Sequence, residues 1–70
     1  MKIQGKNIDM VHNYLDKVTY VPSHAEGNAG HPDCEQGVII DINFSRKFVK
    51  VLYCKGRTVK ATDPDDLVWG

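Results

Sequence analysis

The chain lacks the features that would place it in several large classes of protein. Lys plus Arg and Asp plus Glu number 9 each in its 70 residues, so no net charge favours a nucleic acid or a membrane surface. No apolar run approaches the roughly 20 residues that a membrane-spanning helix needs, and the N-terminal residues lack the apolar core of a signal peptide. We therefore expect a cytoplasmic protein without membrane association.

The chain is also short and poor in cysteine. A length of 70 residues is near the lower limit for a core without cross-links, which predicts one domain over residues 1–70 and no enclosed cofactor. The 2 cysteines, Cys34 and Cys54, are expected to be reduced thiols because the cytoplasm keeps such pairs open.

The strongest signal in the chain is that of a β-hairpin over residues 35–54. Two runs rich in β-branched and aromatic residues, 38–42 and 48–53, flank a polar turn at 45–47. Alternation predicts that one face of this hairpin packs in the core and that the other faces outward. The predicted core residues are Val38, Ile40, Ile42, Val49, Val51 and Tyr53, and the predicted outer residues are Ile39, Phe48, Lys50, Leu52 and Cys54.

Shorter signals complete a mostly β fold. A strand at 17–21 is followed by a long, glycine-containing surface loop at 23–34. A third strand of the meander is predicted at 58–62, with Val59 and Ala61 facing inward. One 3-10 turn at 62–66 then precedes a last short strand at 67–69. Trp69 is expected to close the core, and the alternative is that it anchors a partner.

The first fifteen residues allow two interpretations. Asn7 could cap a short helix with Ile8, Val11 and Leu15 on its apolar face. Alternatively, residues 2–8 form an edge strand that turns at Gly5.

The predicted order of elements resembles the SH3-like barrel, in which a long loop follows the first strand and a 3-10 turn precedes the last. More specifically, the segments DKVTYVPSHA at 16–25, HPDCEQGV at 31–38 and TDPDDLV at 62–68 resemble a group of small proteins encoded by tailed bacteriophages and prophages. The resemblance covers residues 16–69 and leaves 1–15 as an N-terminal extension. It implies a small SH3-like barrel of about five strands in a bacterial host cell, and it implies no particular activity.

Histidine and cysteine side chains raise the question of a metal or a catalytic site. The spacing of these residues matches no standard structural zinc motif, so we expect no metal, with zinc as the alternative. His31 and Cys34 supply only a base and a thiol, without an oxyanion hole, a phosphate loop or paired carboxylates. We therefore expect no enzymatic activity. The alternative zinc ligands are His24, His31, Cys34 and Cys54.

Basic residues are concentrated between positions 46 and 60, where no acidic residue occurs. Zero net charge and the acidic residues Asp63, Asp65 and Asp66 that follow favour a protein partner, from the host or the phage, over a nucleic acid. The predicted partner-binding residues are Ile39, Phe48, Leu52, Arg46, Lys47 and Lys50. The alternative is a nucleic-acid-binding hairpin that uses Arg46, Lys47, Lys50, Lys55, Arg57 and Lys60.

Overall fold

The fold is mostly β, as predicted, with one short helix near the N-terminus and a 3-10 turn before the last strand. A computed structural model describes all residues from 1 to 70. In chain order the elements are β1 (Lys2–Ile3), β2 (Lys6–Asn7), α1 (Met10–Asn13), β3 (Lys17–Tyr20), a 3-10 turn (Ser23–Ala25), β4 (Glu35–Asn43), β5 (Phe48–Tyr53), β6 (Thr58–Thr62), a second 3-10 turn (Pro64–Asp66) and β7 (Leu67–Trp69). No helix has the length and the apolar character needed to cross a membrane.

Five strands form one antiparallel sheet in the order β6-β5-β4-β3-β7. The predicted hairpin is its centre, because β4 pairs with β5 over six positions. Strands β6 and β7 lie at the two edges, while β1 and β2 form a separate small hairpin.

A β-bulge in β4 overturns part of the predicted facing of the hairpin. Ile39 pairs with Val51 and Asp41 pairs with Lys50, so Ile40 is an extra residue without a partner on β5. The extra residue shifts the alternation by one position, and Ile39 lies inside with 0% exposure. The assignments of Val38 and Ile40 to the core and of Ile39 to the outer face are therefore wrong, whereas Ile42, Val49, Val51 and Tyr53 are buried as predicted.

The predicted facing of β6 is also wrong. Val59 and Ala61 are exposed, because they pair with Leu52 and Lys50, which face away from the core. The inward side of β6 carries Thr62, whose Oγ1 lies 2.6 Å from the hydroxyl of Tyr53. This polar pair joins β5 to β6 within the core.

The N-terminal segment combines a turn at Gly5 with a short helix. The strand interpretation is confirmed for β1 and β2, which pair across Gly5 at φ +79°. Helix α1 is capped by Asp9, not by Asn7, since Asp9 Oδ1 accepts the backbone N–H of His12 at 2.8 Å. The predicted apolar helix face is wrong, because Val11 is 89% exposed.

The two ends of the chain meet beside the core. Ile3 and Ile8 belong to the buried core cluster, and Trp69 packs against it. The indole Nε1–H of Trp69 donates to the carbonyl oxygen of Ile3 at 3.1 Å, and the backbone N–H of Trp69 donates to Gln4 Oε1 at 2.8 Å. Trp69 therefore closes the core, as expected, and residues 1–15 form part of the same packed unit.

Candidate functional site

The side of the sheet away from the core carries a row of incompletely covered apolar side chains. Leu52 pairs with Val38 on one neighbouring strand and with Val59 on the other, and directly opposed residues share one face of a sheet. Val59 is 49% exposed, and Val38 and Leu52 are half-buried. We call this surface, with Phe48 and Lys50 of β5, the outer face.

The outer face retains part of the predicted partner-binding set. Phe48 and Leu52 are half-buried and Lys50 is exposed. Ile39 is the exception: the prediction that it contacts a partner is wrong, since the bulge places its side chain in the core. Val38 and Val59 lie on the outer face in its place. Alternation alone could not place them there, because their facing depends on the pairing of β4, β5 and β6.

The six predicted basic residues are all exposed, and none of them forms an ion pair, because every ion pair in the molecule involves a histidine. They do not form one compact patch. Arg46 and Lys47 lie in the turn before β5, whereas Lys55 and Arg57 lie in the turn after it. Lys60 pairs with the inward-facing Val51, so it lies on the side opposite to Lys50.

The turn between β4 and β5 adds an aromatic residue to the basic end of the outer face. Phe44 is 53% exposed and lies two residues before Arg46. Asn43 Oδ1 accepts the backbone N–H of Arg46 at 2.9 Å, and Lys47 has a left-handed φ of +58°. Phe44 was not among the predicted binding residues, although an aromatic residue beside the cations of a turn is a usable signal.

The loop between β3 and β4 is a succession of tight turns. Ala25, Asn28 and His31 each accept, through the carbonyl oxygen, the backbone N–H three residues ahead, at 2.9 to 3.0 Å. Ala25 is 3% exposed and fastens the start of the loop to the rest of the molecule. These turns bring the rings of His24 and His31 together edge to face, with centroids 5.5 Å apart.

Asp33 joins these two histidines. His24 Nε2 donates to Asp33 Oδ2 at 2.6 Å, and His31 Nδ1 accepts the backbone N–H of Asp33 at 3.0 Å. The hydrogen bond from His24 lowers the pKa of the Asp33 carboxyl from its ordinary value. Desolvation opposes this shift.

The two cysteines lie outside this cluster. The thiol of Cys34 donates to the carbonyl oxygen of Asn28 at 3.4 Å, and Cys54 is an exposed free thiol. The ligand atoms of His24, His31 and Asp33 all lie within 4.8 Å of one another, and no cysteine shares that group. Of the four alternative zinc ligands, the two histidines form this group with Asp33, which was not predicted to join them, whereas the two cysteines line a separate cavity.

The acidic turn before β7 lies beside Tyr53 of β5 and Thr62 of β6. Burial raises the pKa of Asp66, and the neighbouring carboxylates of Asp63 and Asp65 raise it further. Burial also raises the pKa of Tyr53, while its hydrogen bond with Thr62 opposes that shift. Asp63, Asp66, Tyr53 and Thr62 line a cavity of about 280 Å³.

Comparison with protein-family models, curated proteins and solved structures finds no match to the chain.

Proposed function

We propose that this chain is a non-enzymatic binding protein of the bacterial cytoplasm that associates with a host or phage protein through its outer face. The resemblance of residues 16–69 to small phage-encoded SH3-like proteins supports the cellular setting. One observation supports the mode of action: an apolar row of Val38, Leu52 and Val59 stays partly open to solvent beside the unpaired cation of Lys50. Apolar area next to a free charge is typical of protein interfaces.

The charged and apolar side chains of the outer face indicate what kind of protein surface would bind there. The exposed basic residues Arg46, Lys47 and Lys50 lie on the outer face or in the turn at its end, so the partner should present carboxylates around an apolar centre. An interface of standard size takes about 800 Å² from each partner, and the whole chain exposes 4725 Å². One such partner would cover about one sixth of the exposed surface of the molecule.

Affinity capture from bacterial lysate, quantified by mass spectrometry, tests this proposal with matched pairs of variants. Val59→Asp and Lys50→Glu alter the outer face. Val11→Asp and Lys2→Glu make the same chemical changes at exposed positions in the N-terminal segment. We expect a captured protein to be lost, by at least about tenfold, with the first pair and retained with the second. Thermal unfolding of each variant confirms that the fold is intact.

Two results would refute the proposed function. One is capture of no protein above the level of resin without the chain. The other is equal capture by all four variants, which would place any interface elsewhere on the molecule.

A nucleic acid is the second candidate ligand, because six basic side chains are exposed without an ionic partner. Nuclease treatment of the lysate before capture separates the two hypotheses. Fluorescence anisotropy with labelled single- and double-stranded DNA across a salt series then measures the nucleic-acid contribution. Contacts to phosphate require an affinity that falls as salt rises, and no such binding below about 50 μM would exclude this candidate.

A further inference from the structure

The His24, His31 and Asp33 cluster is not used by the proposed binding surface. It belongs to the loop between β3 and β4, whereas the outer face is built from β4, β5 and β6. No other group of three such side chains occurs in the molecule.

The two imidazole nitrogens and the carboxylate oxygen of the cluster suit a divalent transition metal of intermediate softness. Zinc(II) accepts imidazole nitrogen and carboxylate oxygen, and it often binds three protein ligands with a water molecule in a fourth position. Magnesium and calcium prefer sets made of oxygen alone. The side chains of His24 and Asp33 are 60% and 59% exposed, so an ion can enter from solvent and keep a water ligand.

The distances in the cluster bracket those of a metal site. In a tetrahedral zinc site, bonds of about 2.0–2.2 Å place the ligand atoms roughly 3.3–3.5 Å apart. Here His24 Nε2 lies 2.6 Å from Asp33 Oδ2, and His31 Nδ1 lies 4.0 Å from the same oxygen. All ligand atoms of the group lie within 4.8 Å of one another. Side-chain movements of about an ångström would therefore bring them to the distances of a bound zinc ion.

A second histidine and aspartate pair provides an internal comparison. His12 Nδ1 lies 2.8 Å from Asp9 Oδ2, and this pair is exposed like the first. Asp9 also accepts the backbone N–H of His12 as a helix cap, and no third ligand lies near it. The two pairs share their chemistry and differ in the presence of His31.

We propose that His24, His31 and Asp33 form a binding site for one zinc ion, which ties the start of the loop between β3 and β4 to its end. Binding requires the proton on His24 Nε2 to leave, because that nitrogen donates a hydrogen bond in the metal-free arrangement. His31 Nδ1 must also release the backbone N–H of Asp33 that it accepts at 3.0 Å. The ion then replaces these two hydrogen bonds with three coordinate bonds. The site is independent of the proposed partner surface, so either proposal can fail alone.

Isothermal titration of the full chain with zinc, prepared without a histidine tag, tests the site. We expect one zinc ion per chain with a dissociation constant below about 100 μM. Saturating zinc should raise the melting temperature by about 4 °C or more. His24→Ala, His31→Ala and Asp33→Asn should each weaken binding at least tenfold or abolish it. Magnesium should neither bind nor stabilise.

Matched variants keep the test independent of any loss of folding. His12→Ala removes a histidine from the comparison pair and should bind zinc like the parent chain. Cys34→Ser and Cys54→Ser should also bind normally, and cobalt(II) should give visible absorption without the charge-transfer band of a thiolate ligand. In NMR spectra, zinc should shift the imidazole signals of His24 and His31 while those of His12 stay in place.

Several outcomes would overturn the site. The absence of saturable zinc binding by the parent chain would do so, and so would an equal loss of binding in His12→Ala. Loss of binding in Cys34→Ser would replace the nitrogen and oxygen ligand set with one that includes sulfur. If zinc does not change the melting temperature of the parent chain, the hydrogen bond between His24 and Asp33 alone holds the two ends of the loop together.

Discussion

Strands β4 and β5 pair with each other, but only β5 keeps a strict alternation of inward and outward side chains. On β5, Val49, Val51 and Tyr53 are buried and the residues before each of them are not. On β4 the buried positions after Gly37 are Ile39 and Ile42, which lie three positions apart instead of two. Apolar alternation therefore assigns the faces of a strand only as far as the register stays regular.

The largest expected effect comes from the two isoleucines on either side of this irregularity. Ile39→Ala should destabilise the fold by about 2–5 kcal/mol, because it removes a fully buried side chain. Ile40→Ala should cost less than half as much, since Ile40 is only half-buried. Urea unfolding of both variants measures the difference, and equal losses would contradict the bulge.

On the regular strand, neighbouring residues should differ by a smaller amount. Val51→Ala should cost about 1–3 kcal/mol, because Val51 is completely buried. Lys50→Ala should stay within about 0.5 kcal/mol of the parent chain, because Lys50 is exposed and forms no ion pair. Denaturant melts of the two variants provide the test, and a matching loss for Lys50→Ala would show that β5 does not alternate.

The smallest expected loss of a buried contact concerns Tyr53, the last residue of β5. Tyr53→Phe should cost about 1 kcal/mol, because it removes the hydroxyl that bonds to Thr62 in the core. Tyr20→Phe is the matched control, since the two rings meet edge to face at 6.5 Å and only Tyr53 has this hydroxyl partner. Thermal unfolding that ranks Tyr20→Phe as the more harmful change would contradict this role of the hydroxyl.

Much of the fold could be predicted because its signals are local. The hairpin strands, the strand at 17–21, the last strand and the 3-10 turn after Thr62 follow from β-branched runs and from proline at a helix start. The bulge at Ile40 could not be predicted, because it depends on how β4 pairs along its whole length. The cap at Asp9 was missed because Asn7 is an equally good capping residue at a nearby position.

The candidate sites were predictable only in part, for a similar reason. Exposure of Lys50 and the basic turns follows from charge alone, whereas the row formed by Val38, Leu52 and Val59 depends on the register of three strands. In the loop, the residue types identified His24 and His31 as possible ligands. The successive turns that bring Asp33 to them have no signature beyond a general loop composition.

The contacts of Trp69 with Ile3 and Gln4 determine how late the core can form during folding. Strand β7 leaves the ribosome after every other strand, yet it pairs with β3 and receives the N-terminal hairpin. Residues 3 and 4 therefore have no partner until residues 67–69 have been made. Contacts of such long sequence separation slow folding. The core should close in one late step, once β7 is available to pair with β3.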